Sequence, residues 1–153
     1  MNKQQLAAKI WESANKLRSK IEANEYKDYI LGFIFYKYLS DREVKFLREN
    51  DFSQEDIEGL DESDPETMNF IRDNIGYFIA YKDLFSTWLQ MERDFDISNV
   101  RDALSAFSRL INVSHKKVFS GIFKTLETGL SKLGENSASQ TKAVSSLIQL
   151  IKD

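Results

Sequence analysis

The chain has 153 residues, 42% hydrophobic and 29% charged, the balance of one folded domain and not of a disordered chain. It contains no cysteine, which excludes disulfides, thiolate metal sites and cysteine nucleophiles. One proline, Pro65, and six glycines point to long uninterrupted helices, and a net charge of −3 hides basic ends around an acidic middle.

Residues 1–48 carry ten Lys/Arg against six Asp/Glu, a net of +4, and residues 49–75 carry one against ten, a net of −9. Residues 76–115 are close to neutral, with four against five, and residues 116–153 carry six against three, a net of +3. Such blocks describe a solvated surface, or a mildly basic face that meets nucleic acid with an acidic loop turned away. The polar N-terminus leads into no signal-peptide core, and the most apolar run, residues 29–39, is too short to span a bilayer. A cytoplasmic protein without membrane contact is the expectation.

Residues 3–22 read as an amphipathic helix. Leu6, Ile10, Ala14, Leu17 and Ile21 share an arc of about 80°, extended by Ala7 and Trp11. Lys9, Lys16 and Lys20 gather on its flank within about 40° of each other. Asn24 is the expected N-cap of a second helix over residues 25–48, with Glu25 and Asp28 in its first turn. The centre of that helix, residues 29–39, is apolar all round. It therefore reads as the buried central helix of the domain, with Lys37 needing a partner and the tyrosines in the core with satisfied hydroxyls.

The acidic stretch 49–64 is a connection. Within it, Ser53 and Asp56 form a weak capping box for one short helix over 54–58. Asp64-Pro65-Glu66 starts a helix that should end near Gly76. Tyr77-Phe78-Ile79-Ala80 is expected to be one short extended segment. Residues 83–92, with Leu84, Phe85, Trp88, Leu89 and Met91, read as a helix, as do residues 98–110 with Val100, Leu104 and Phe107. Residues 116–133 have helical spacing, weakened by Gly121 and Gly129. Residues 134–139 read as a turn, and residues 140–151 as a last helix that runs to the chain end without a stop signal, the pattern expected of a truncated chain. The whole predicts an all-α protein: a single multi-helix orthogonal bundle around a buried central helix. Its expected core includes Trp11, Leu17, Ile30, Phe33, Ile34, Leu84 and Trp88.

Little catalytic chemistry is available. His115 is the only histidine, so carboxylates would have to supply every other ligand of a metal site, and a surface or helix-start role is expected for it. Ser114 adjoins it, but neighbours on one backbone rarely face each other. No two glycines are one residue apart, which removes every Gly-x-Gly nucleotide motif, and no glycine is followed by Lys-Ser/Thr, so there is no P-loop. The carboxylates of residues 51–66 lack apolar surroundings that would tune them for acid–base work. No catalytic, cofactor-binding or metal residue is assigned.

The pattern Leu6-x-x-x-Ile10-Trp11-x-x-Ala14-x-x-Leu17-Arg18, followed by the block from Glu25-Tyr26-Lys27 through Tyr29-Ile30-Leu31-Gly32-Phe33-Ile34-Phe35-Tyr36-Lys37-Tyr38-Leu39-Ser40, resembles the N-terminal helical domain of the modification (M) subunit of type I restriction–modification systems. Ile75-Gly76-Tyr77-Phe78-Ile79, Asp83-Leu84-Phe85, Gly121-Ile122-Phe123, Leu130-Ser131-x-Leu133-Gly134 and Leu147-Ile148-x-Leu150-Ile151 are similar to its later segments, so the resemblance covers nearly all of residues 1–153. It implies a parent subunit that is an S-adenosylmethionine-dependent DNA adenine-N6 methyltransferase. The parent's catalytic domain carries a Phe-x-Gly-x-Gly cofactor motif and an Asn-Pro-Pro-Tyr/Phe motif for the flipped adenine. Neither is present here, since this chain has no Gly-x-Gly and a single proline. The resemblance further implies a domain that clamps DNA and helps assembly with a specificity (S) subunit, a second M subunit and a restriction (R) subunit. Lys9, Lys16 and Lys20, with Lys116 and Lys117 as a second basic spot, are then the candidates for phosphate contact. The alternative is a free-standing helical interaction module or regulator.

Overall fold

The computed structural model describes residues 3–5, 7–8 and 23–152; within the last range, side chains are described from Asp28 onward except at positions 118, 120, 122 and 125. Residues 3–5 and 7–8 are helical, and the remainder of the expected first helix, with Lys9, Trp11, Lys16, Leu17 and Lys20, lies outside the described residues. The described elements are α1 (Ala23–Glu49), α2 (Gln54–Glu58), α3 (Pro65–Ile75), α4 (Phe85–Met91), α5 (Ile97–Leu110), α6 (Val113–Gly129) and α7 (Ser137–Ile151). Short 3-10 turns at Tyr81–Asp83, Glu92–Asp94 and Leu130–Leu133 join them. The fold is an all-α bundle, with no strand among the described residues.

Side-chain caps account for most of the helix starts. Ser53 and Asp56 close a reciprocal capping box at α2, and Asp64 accepts the Thr67 N–H with Pro65 in the first turn of α3. Asp96 caps α5 by accepting the Ser98 N–H, which moves its start to Ile97. Asn136 accepts the Ser139 N–H, so α7 begins at Ser137 and the expected turn at 134–139 is half helix. Hydrogen bonds at these caps hold the Asp56, Asp64 and Asp96 carboxyls below the usual carboxylate range.

Three further expectations are corrected. Asn24 lies inside α1, because the helix already includes Ala23. The helix at 116–133 starts earlier and is split: α6 starts at Val113 under an Asn112 cap, and a 3-10 turn follows Gly129. The helix at 83–92 is one short helix, Phe85–Met91, flanked by two 3-10 turns.

α1 is the central element, packed against α4, α6 and α7. Tyr29, Ile30, Phe33, Tyr36, Leu39 and Leu47 are buried along it. Its apolar run is not buried on every side, as its hydropathy suggested: Ile34 is only partly buried, Leu31 is 40% exposed and Tyr38 is 57% exposed. Lys37 finds its partner one turn on, in Asp41 at 2.7 Å. Leu84 and Trp88 are buried across from α1, with Trp88 stacked on Tyr36 at 5.0 Å between ring centroids. Phe107 of α5 meets Tyr77, Phe119 and Phe123 at 5.3–5.8 Å, which knits α5 and α6 to the same core.

Phe33→Ala should therefore cost about 3–5 kcal/mol in urea unfolding, the range for deleting a fully buried aromatic side chain.

Candidate nucleic-acid interface and the strap that supports it

The two described lysines with a sequence-based assignment, Lys116 and Lys117, stand exposed near the start of α6. Among the described residues neither has an ion pair. That helix start is built from residues upstream. Asn112 accepts the Ser114 N–H at 3.1 Å, and its own N–H goes to the Gly76 carbonyl at 2.9 Å. The Ser114 hydroxyl donates to Asn112 Oδ1 at 3.0 Å and lies 3.1 Å from His115 Nδ1. Ser114 and His115 thus do meet, against expectation. The serine N–H and hydroxyl both reach the Asn112 side-chain oxygen, the arrangement of a helix cap.

Gly76 makes this junction. Its φ of 92° lies in the left-handed region, and a Cβ there would stand 3.1 Å from the His115 ring. The imidazole lies over this bare turn and stacks beside Phe119, with centroids 6.3 Å apart. The chain end of α3 and the first turn of α6 are therefore locked together.

From Gly76 the chain runs without regular structure through residues 77–80, then through a 3-10 turn into α4. Residues 77–80 pair with no strand among the described residues, so the expected extended segment is a strap laid across α1. Four α1 groups hold residues 77–85 in place. The Leu39 carbonyl accepts the Tyr77 hydroxyl at 2.7 Å, and Glu43 Oε1 accepts the Ile79 N–H at 2.7 Å. The Tyr36 hydroxyl donates to the Asp83 carbonyl at 2.8 Å, and the Ser40 hydroxyl accepts the Phe85 N–H at 3.2 Å. All four contacts are buried, where an unpaired backbone group would be costly.

Glu43 and Ser40 were given no role from sequence. The signal for them was their register: Tyr36, Ser40, Glu43 and Leu47 recur at helical spacing along the buried stripe of α1. Burial pushes the Glu43 carboxyl well above its ordinary range, opposed only by the Ile79 hydrogen bond. Burial likewise raises the Tyr36 and Tyr77 hydroxyls, and it raises the Asp83 carboxyl against the opposing charge of Lys82.

Among the described residues no group of three His, Asp or Glu side chains is placed to hold a metal ion. No described helix is long and apolar enough to cross a membrane. The described residues form an all-α bundle with two exposed basic residues near one helix start. Residues 6–151 match the family model of the HsdM N-terminal domain, and the chain belongs to that family. It is 27% identical to the type I restriction enzyme MpnII methylase subunit of Mycoplasma pneumoniae, over 94% of this chain and 29% of that protein. The crystal structure of a type I restriction-modification system methyltransferase subunit from Streptococcus thermophilus has the same fold, with a TM-score of 0.77 at 23% identity over 99% of this chain and 34% of that one. The chain thus spans about a third or less of the length of these two proteins.

Gly76→Ala should lower stability by about 1–2 kcal/mol, the cost of placing a Cβ in the left-handed region. Urea unfolding measures it. Combining it with His115→Ala should relieve the ring contact and leave the backbone part of the loss.

Proposed function

We propose that residues 1–153 are the N-terminal domain of a type I DNA methyltransferase subunit, acting in DNA clamping and subunit assembly. The observation that carries this reading is the family match over residues 6–151, in a chain that lacks the family's cofactor and adenine motifs. Methylation of adenine N6, with S-adenosylmethionine as donor, belongs in this reading to a catalytic part of the parent subunit. The domain itself is not catalytic. The partners are duplex DNA, a specificity subunit, a second methyltransferase subunit and a restriction subunit, in the cytoplasm.

Lys116 and Lys117 are the described candidates for phosphate contact. They are adjacent, exposed and without an ion pair among the described residues, so their charge is free to displace counterions from a duplex. Lys9, Lys16 and Lys20 are the second group, from the helical pattern of residues 3–22. Contacts of this kind set affinity and register without reading bases, which suits a domain whose complex delegates sequence reading to another subunit. The chain's net charge of −3 predicts weak DNA binding by the domain alone.

The test is DNA binding by the methyltransferase complex reconstituted with the specificity subunit. Lys116→Glu with Lys117→Glu should weaken binding about tenfold or more and flatten the salt dependence by roughly 0.9 per lost phosphate contact. Lys9, Lys16 and Lys20 changed together to Glu should act in the same direction. Unchanged affinity and slope in both variants would remove these residues from the DNA contact. A chain that fails to co-purify with the specificity subunit would count against the assembly role.

A further inference from the structure

Glu43 is 0% exposed, and its two carboxyl oxygens have unequal surroundings. Oε1 accepts the Ile79 N–H at 2.7 Å, while Oε2 is buried without a hydrogen-bond partner among the described residues. We propose that Glu43 is a proton-held clamp: a neutral carboxylic acid, protonated on Oε2, that fixes the 77–85 strap to α1 and lets it go on ionising.

The groups around it leave no other way to keep the site. On α1 itself, the Tyr36 hydroxyl is committed to the Asp83 carbonyl, and Arg42 acts on Tyr77. On the strap, the Tyr77 hydroxyl is committed to the Leu39 carbonyl. On the 3-10 turn, Asp83 pairs with Lys82 at 3.1 Å, and the more remote Asp102 and Glu62 act on Asp83. Among the described residues no cation offsets a charge on Glu43; the single Ile79 N–H is all that favours the anion. An ionised Glu43 would be a buried unpaired charge, which the domain avoids by opening at this point. The proton passes to water as the strap lifts, and the carboxylate is then solvated.

Opening would be felt at both ends of the strap. At one end Gly76 carries the Asn112 hydrogen bond and the His115 contact that set the first turn of α6. At the other, Phe85 leads to Trp88, stacked on Tyr36. The clamp follows from the strap geometry alone and stands whether or not Lys116 and Lys117 touch DNA.

The sign of the pH effect follows from which state holds the proton. The folded chain holds it more tightly than the unfolded chain, whose Glu titrates near an ordinary value of about 4.3. The contribution is complete below that value and is lost as pH rises toward the folded-state value, by up to about tenfold in the folding equilibrium per pH unit.

The experiment uses the full chain, wild type and Glu43→Gln. The amide keeps an oxygen for the Ile79 N–H and carries no charge at any pH. Urea midpoints from about pH 5 to 9, followed by tryptophan fluorescence, should fall with pH in the wild type and much less in the variant. Carboxyl carbon NMR of the wild type labelled at glutamate should show one resonance still protonated near neutral pH, absent from the variant. The Ile79 amide should exchange faster at alkaline pH than base catalysis accounts for. A wild-type spectrum with every glutamate ionised near neutral pH overturns the proposal, and so does a folded Gln variant with undiminished pH dependence. The wild-type NMR titration decides alone where the variant does not fold.

Discussion

Much of this domain depends on one constraint: the strap at 77–85 runs through the core with no partner strand among the described residues, so its buried polar groups must bond to other elements. α1 meets that need with a row of polar groups on its buried face. Tyr36, the Leu39 carbonyl, Ser40 and Glu43 take up Asp83, Tyr77, Phe85 and Ile79 respectively, along one stripe of the helix. Because these contacts are enclosed, each is worth more than its surface equivalent, and losing one strands its partner in the core. The strap in turn fixes where α3 ends and α4 begins.

This arrangement links a structural demand to the candidate interface. Gly76 closes α3 with a left-handed turn and offers its carbonyl to Asn112. Asn112 caps α6 and so determines where Lys116 and Lys117 emerge. Pinning the strap therefore helps hold two exposed cations in a defined place, while their side chains stay free to move. That combination suits phosphate contact, in which charge and rough position matter more than fixed geometry. The acidic connection adds the Leu60 carbonyl, which accepts the Tyr81 N–H at 3.1 Å, while its Glu62–Arg109 pair, both partners half-exposed, is a weak contributor to stability.

Membership of the HsdM N-terminal domain family and the short coverage of the two methylase subunits fit one account of the chemistry. The chain has no Gly-x-Gly and a single proline, so it carries neither motif that the resemblance assigns to a separate catalytic domain. What it does contain is a bundle whose buried polar groups on α1 bond the strap. The buried carboxyl of Glu43, which in a cleft would read as an acid–base candidate, faces backbone instead of an open pocket wall and is best understood as part of the fold.

Local chemistry in the sequence was enough for much of the architecture. Helical periodicity determined the all-α class, and the Ser53–Asp56 box and Asp64-Pro65 placed the starts of α2 and α3, because a cap depends only on neighbours within one turn. Lys116 and Lys117 were legible as a basic spot for the same reason: adjacent charges need no fold to be recognised. Tertiary packing decided what local pattern does not encode. Leu31 and Tyr38 sit in an apolar run yet lie exposed, since a helix has one side toward its neighbours whatever its hydropathy. Glu43 is charged by residue type yet enclosed, because the strap that buries it arrives from 36 residues away. Long-range contacts of that kind determine burial and protonation, and residue spacing along one helix carries no record of them.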